Sequence, residues 1–246
     1  MTNRIQSTFS DLQHLLEQPN TPEPIVRNRF QTYFDEIAGA EKNEKAERHA
    51  TDSEAFQKAL SLLRRYYKRA LPKEDAPAVL DIADLCETLS FCCDLLCGAR
   101  EKRIFCSTDA PVPAVCSPRA LSWALLNLLS NAVLYSTGKY IFVFVQETEN
   151  HIILRVSNEG AFSRAQFEKA MGTKGGGLWF AERAARAHGG ALLCLLEPNY
   201  TTLALTVSKK CPDGYPLFPP ESFADLLSDR LSPVYTAFCD VCALYL

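Results

Sequence analysis

Apolar positions recur at helical spacing through the first third of the chain and switch to strand-like alternation only after it. Between Arg4 and Gln18, the residues Ile5, Phe9, Leu12, Leu15 and Leu16 share one helical face. Pro19, Pro22 and Pro24 break that pattern, and a second helix follows with Ile25, Val26, Phe30, Phe34 and Ile37. Residues 41–50 are charged and are expected to form a solvated helix end or linker. Thr51 or Ser53 is placed to cap a third helix carrying Phe56, Leu60, Leu63 and Tyr67, which Pro72 and Pro77 should close. Residues 1–76 therefore read as a helical hairpin or bundle whose apolar stripe suits self-association.

From Leu80 the texture changes. Ile82, Leu85, Leu89, Cys92, Cys93 and Leu96 give a helix ending near Gly98, followed by a short strand, Arg103 to Ser107, and a proline-broken loop through Val115. Ser117-Pro118 pairs a capping serine with proline at the first helical position. The helix that follows, Pro118 to Tyr135, is apolar on almost every side and should be central, with Asn127 and Asn131 one turn apart as its polar exceptions. Tyr140–Gln146 with His151–Val156, and Ala191–Leu196 with Thr202–Val207, alternate as two hairpins. The order predicts an α+β chain: the helical bundle, then a two-layer α/β sandwich with helices over a mixed sheet at 77–208. Residues 209–246 are left as a tail, with an amphipathic helix over Pro219–Leu231 and a strongly apolar run from Val234 to Leu246. Such a tail is expected to pack on its own domain or on a partner.

Between the hairpins, Gly172 to Gly190 combines a glycine-rich turn with a helix over Leu178–Ala187 that stops at Gly189-Gly190. Glycines let backbone amides approach an anion, and a helix N-terminus aims its free N–H groups at the same place. Composition changes this picture little. A net charge of −3 on 246 residues points away from nucleic acid. No apolar run approaches the roughly 20 residues of a membrane span, and the first residues lack the apolar core of a leader, so a cytoplasmic protein is expected. Ten cysteines are expected as reduced, mostly buried thiols; Cys239 and Cys242 form a C-x-x-C with no second pair at zinc spacing.

Three stretches together resemble the ATP-binding domain of sensor histidine kinases, in the superfamily shared with DNA gyrase and heat-shock chaperone ATPases. Asn127-Leu-Leu-Ser-Asn131-Ala-Val-Leu-Tyr135-Ser136 is similar to the family's asparagine box, and Val156-Ser-Asn158-Glu-Gly160 to its adenine-binding box. Gly175-Gly-Gly177-Leu178 is similar to its G-L-G-L turn, and the nine residues before His188-Gly-Gly fit the family spacing. The resemblance implies ATP and Mg2+ as cofactors. It implies Asn131 as the metal ligand, Asn127 beside the phosphates, Tyr135 near adenine, and Asn158 with Gly160 reading the base. Gly175, Gly177 and Leu178 would shape the phosphate turn. The sequence departs from the pattern where Leu134 replaces a lysine, Asn158 an aspartate and Phe162 a second glycine. Only eleven residues, Ala161–Met171, stand where the family has a longer lid. Lys174 is a candidate replacement for the missing lysine.

The resemblance also implies a phosphoacceptor histidine on the helical segment. His14-Leu-Leu-Glu-Gln18-Pro19 keeps the histidine, leucine and proline of the family motif but lacks its acidic neighbour; His49 is a second, poorer match. The expected function is an ATP-dependent histidine-kinase-like protein of a two-component system. It would dimerise through its N-terminal helices and pass phosphate from His14 to the receiver domain of a response regulator. The alternative is a weak or inactive pseudokinase or phosphotransfer adaptor acting as a dimeric scaffold, favoured by Leu134, Phe162 and the short lid.

Overall fold

The computed structural model describes residues 2–18, 21–41, 49–74, 76–108, 110–210, 214–219 and 221–241. Three helices come first: α1 (Thr2–Glu17), α2 (Glu23–Glu41) and α3 (His49–Glu74). The expected apolar stripes face one another within the chain. Leu12, Val26, Phe30, Tyr33, Phe34, Ile37, Phe56, Leu60 and Leu63 are all buried in a common core. Phe34 and Phe56 lie with ring centroids 4.4 Å apart at its centre. Two boundaries differ from expectation. α3 is already formed at His49, so Thr51 and Ser53 lie inside it, and it runs through Pro72 to Glu74. Of the charged segment, 42–48 lies outside the described residues.

The rest of the chain adds β1 (Ala78–Asp81), α4 (Ile82–Cys97), β2 (Arg103–Ser107), β3 (Pro113–Cys116), α5 (Pro118–Tyr135), β4 (Tyr140–Glu147) and β5 (His151–Glu159). Then come α6 (Arg164–Gly172), α7 (Gly177–Ala187), β6 (Leu192–Leu196), β7 (Tyr200–Ser208), α8 (Phe223–Ser228) and α9 (Pro233–Phe238). The main sheet has the order β2-β4-β5-β7-β6, with β2 parallel to β4 and every other neighbour antiparallel. It is the mixed sheet that the two hairpins predict, and α4, α5 and α7 pack on one face of it. The fold is α+β.

The stretch expected as a loop through Val115 contains β3, which pairs antiparallel with β1 and sets Val79 opposite Val115. Four-residue strands beside prolines carry too little alternation to be seen in sequence. Asp81 joins the two: its Oδ1 caps α4 through Ala83 N–H at 3.0 Å and accepts Val112 N–H at 3.0 Å.

α5 is buried on nearly all sides because it is covered twice. The sheet and α7 take one side; α3 and the C-terminal segment take the other. Tyr67 of α3 lies with its ring centroid 5.3 Å from that of Trp123. The Tyr67 hydroxyl accepts from Arg27 at 3.1 Å and donates to Glu23 at 3.2 Å. Burial, then the Glu23 carboxylate, push that hydroxyl up to about 12. Glu23 also pairs with Arg119 at 2.5 Å. The tail packs on its own chain: Leu226, Leu231, Val234, Ala237, Phe238 and Val241 are buried. The single helix expected over Pro219–Leu231 is instead the six-residue α8 followed by α9. The chain turns at Asp229, whose carboxylate accepts Leu231 N–H at 2.9 Å, and restarts at Pro233. Cys242 lies outside the described residues, and 242–246 with it.

Candidate functional site

The glycine turn, the asparagine helix and the end of β5 converge. α7 begins at Gly177, directly against the middle of α5. A Cβ on Gly177 would lie 2.9 Å from Asn127 Oδ1, so only glycine lets the helix mouth approach that closely. Asn127 is fully buried; its Nδ2 donates to Trp123 O at 2.7 Å, and its Oδ1 has no hydrogen-bond partner. An orphaned carbonyl oxygen beneath a helix start is costly unless a donor reaches it.

In front of this junction lies a hollow of about 490 Å³. Asn131 and Tyr135 form one wall from α5, Asn158 and Gly160 another from β5, and Gly177 with Leu178 the mouth of α7. Gly160 has a φ of +138°, and its N–H donates to Asn199 O at 2.9 Å, which ties the end of β5 to the β6–β7 hairpin. Asn158 Nδ2 donates to Glu159 O at 2.9 Å, leaving the carboxamide oxygen for an incoming donor. Phe162 lines the hollow without filling it; its ring leans on Phe167, 6.5 Å between centroids.

Six of the residues singled out from sequence therefore meet at one hollow: Asn131, Tyr135, Asn158, Gly160, Gly177 and Leu178. Asn127 stands behind them as buried support rather than in the lining. Gly175 and Leu134 line a second hollow of about 290 Å³ that shares Asn131 and Tyr135 with the first. Lys174 lines neither. His14 is exposed on α1, 3.9 Å from Glu17, and also lies outside both linings. The side chain of His49 is outside the described residues. His188 is structural: its Nε2 accepts Ser117 N–H at 2.8 Å, and Nδ1 lies 2.6 Å from Ala184 O, joining the start of α5 to the end of α7.

Sequence reading missed α6, which lies between β5 and the glycine turn. Ser163 Oγ accepts Gln166 N–H at 3.2 Å, and the Gln166 side chain accepts Ser163 N–H at 2.8 Å. This is a capping box, and Ser163-Arg-Ala-Gln166 was its legible signature. From α6 and the segment after it, Gln166, Lys169 and Thr173 reach the first hollow, and Thr201 reaches it from β7. Lys169 gives the first hollow a positive charge, whereas the residues that α5 contributes to it, Asn131, Ala132 and Tyr135, carry none.

Burial pushes the Cys86 thiol far up and that of Cys106 to about 11. Cys86, Cys92, Cys106, Cys194 and Cys239 are free thiols, and among the described residues no helix is long and apolar enough to cross a membrane.

No family model matches the chain, and no curated protein matches it. Solved structures do. Full-length histidine kinase ShkA, solved in complex with AMPPNP, superposes on 76% of this chain and 46% of its own at 19% identity and a TM-score of 0.58. The Acinetobacter baumannii histidine kinase AdeS matches 85% of this chain and 98% of its own at 14% identity and a TM-score of 0.52. The catalytic domain of histidine kinase ThkA matches 55% and 97% at 17% identity and a TM-score of 0.50. The chain thus has the fold of histidine kinase catalytic domains.

Proposed function

We propose that this chain is a histidine-kinase-like signalling protein of a two-component system that binds ATP in the first hollow. The observation that carries this is the meeting of three separated sequence boxes around one cavity of about 490 Å³, within the range typical of small-ligand sites. AMPPNP bound to ShkA supports an adenine nucleotide as the ligand of this hollow. Asn158 would accept a hydrogen bond from the base through its free carboxamide oxygen. Tyr135 would cover the base. The amides at the mouth of α7 and the ammonium of Lys169 would face the ribose and the first phosphate, where the nucleotide leaves the base. Asn131, a neutral oxygen donor on the shared wall, would hold Mg2+, which when bound neutralises phosphate charge during phosphoryl transfer.

His14 is the assigned phosphoacceptor. Its side chain is 78% exposed, so a second copy can reach it. Dimerisation belongs to this reading and would use the outward faces of the N-terminal helices, because their apolar stripes are already buried within the chain. The onward acceptor is the receiver domain of a response regulator, and the compartment is the cytoplasm. Incubation with γ-labelled ATP should leave acid-labile, base-stable label on the protein. Label that persists in His14→Ala rejects the assignment of His14.

One observation favours a second reading, a nucleotide-binding scaffold without transfer: Leu134 is 40% exposed where the family has a lysine, and Lys174 does not reach the first hollow. Mg2+-dependent ATP binding with no covalent label would decide for it.

A further inference from the structure

The second hollow shares Asn131 and Tyr135 with the first, so the two adjoin across these side chains. It is built from segments far apart in the chain: Arg64 and Arg65 from α3, Ser130 and Leu134 from α5, Gly175 from the glycine turn, and Asp240 after α9. We propose that this hollow holds the phosphate chain of the nucleotide, with Arg64 and Arg65 of the helical segment supplying the positive charge that Leu134 does not. The assignment rests on the nucleotide reading of the first hollow.

Arg64 is held but under-used. Its side chain is only 14% exposed, one Nη lies 2.7 Å from the Asp240 carboxylate, and the other lies 3.4 Å from Ser130 Oγ. Its Nε–H is buried with no oxygen or nitrogen acceptor, and the Cys239 thiol lies against the guanidinium. A guanidinium has five donors in a planar fork suited to phosphate, and a half-buried cation held by a single carboxylate gains from a second anion. Arg65, exposed on the next position of α3, lines the same hollow. The charged side chains facing the hollow are therefore two arginines and one carboxylate. Asp240, 58% exposed on the C-terminal segment, occupies the position on Arg64 that a phosphate oxygen would take. It is a tenant that a polyanion can displace.

The test uses the full chain and three probes titrated separately by calorimetry: adenosine, Mg2+-tripolyphosphate and Mg2+-ATP. ATP should bind the unaltered chain more tightly than adenosine does. Arg65→Gln and Arg64→Gln should each weaken tripolyphosphate and ATP about tenfold or more, the loss expected for one charge-assisted contact, with adenosine unchanged. Asp240→Asn should tighten tripolyphosphate several-fold by releasing Arg64. Arg65 and Asp240 are exposed, so those two variants keep the fold and decide the matter even if Arg64→Gln does not fold. ATP binding no tighter than adenosine, or tripolyphosphate binding indifferent to Arg65→Gln and Asp240→Asn, overturns the proposal. Tripolyphosphate binding that depends on the arginines without any adenosine binding would sink the adenine reading and keep the arginine pair.

Discussion

The two hollows share a wall and differ in how they are made. The first is assembled from one continuous domain: three boxes between residues 127 and 178, on α5, at the end of β5 and at the start of α7. The second needs α3 and the C-terminal segment to dock on α5, and it is the more polar of the two, with two arginines and an aspartate. A site built inside a sheet domain survives changes elsewhere in the chain. A site built between docked elements responds to anything that shifts the docking. The hollow proposed for the phosphates is thus tied to the helical segment that carries His14, and the hollow proposed for the base is not.

The largest expected effect breaks the docking. Tyr67 is 2% exposed, packs on Trp123 and bridges Glu23 and Arg27 through its hydroxyl. Tyr67→Ala should cost about 3–5 kcal/mol, the usual range for truncating a buried aromatic side chain. It should also loosen α3 from α5. Thermal melting should separate into two transitions, and tripolyphosphate binding should fall while adenosine binding persists. Equal loss of both ligands would mean that the two hollows are one cooperative unit.

The converse change attacks the first hollow. Gly177→Val drives a side chain into Asn127 Oδ1, whose amide is locked to Trp123 O. Overpacking of this kind costs about 1–3 kcal/mol, and the same wedge narrows the mouth of α7, so adenosine should weaken roughly tenfold or more. Tripolyphosphate should change less, because Gly177 does not line the second hollow. Calorimetry of the same variant with both probes separates the cases.

The same division governs what the sequence could reveal. The first hollow was legible because its residues sit in short, ordered runs with chemical meaning: paired asparagines on a greasy helix, a strand ending in Asn158 and Gly160, glycines opening a helix. The mixed sheet and the central burial of α5 followed from alternation and from apolar residues on every side. The second hollow was not legible, because no local pattern brings Arg64 to Asp240 across 176 positions. Leu134 read as a lost positive charge that Lys174 could replace, and only the packing of α3 brings Arg64 and Arg65 to the hollow that Leu134 lines. β3 was hidden by its length, and α6 by a capping box whose glutamine stood unread at Gln166. Asn127 was placed among the phosphate contacts because the resemblance supplied a role without depth; the structure sets it one layer back, under Gly177.

The smallest expected effect probes the C-terminal wall alone. Cys239 adjoins Asp240 and is 3% exposed; burial first, then the Asp240 carboxylate, raise its thiol from 9.0 to about 12. In the unfolded chain that thiol ionises near 9.0, whereas the folded chain keeps its proton. Below pH 9 both states are protonated, and the contribution to stability is complete. As pH rises above 9 the unfolded chain releases the proton first, so stability falls through the window from 9 toward 12. Between pH 9 and 10 the loss is about 1 kcal/mol for one such thiol. Other buried thiols, such as Cys106 at about 11, add to the decline, while Tyr67, raised from 10.0 to about 12, enters mainly above pH 10. The melting temperature should therefore drop on going from pH 9 to 10, and Cys239→Ala should make that drop shallower without abolishing it. If the loss is local to this wall, tripolyphosphate affinity should decline over the same interval more than adenosine affinity does, and Cys239→Ala should narrow that gap. An identical decline for both ligands in both proteins would assign the pH effect to the shared core and not to the C-terminal segment.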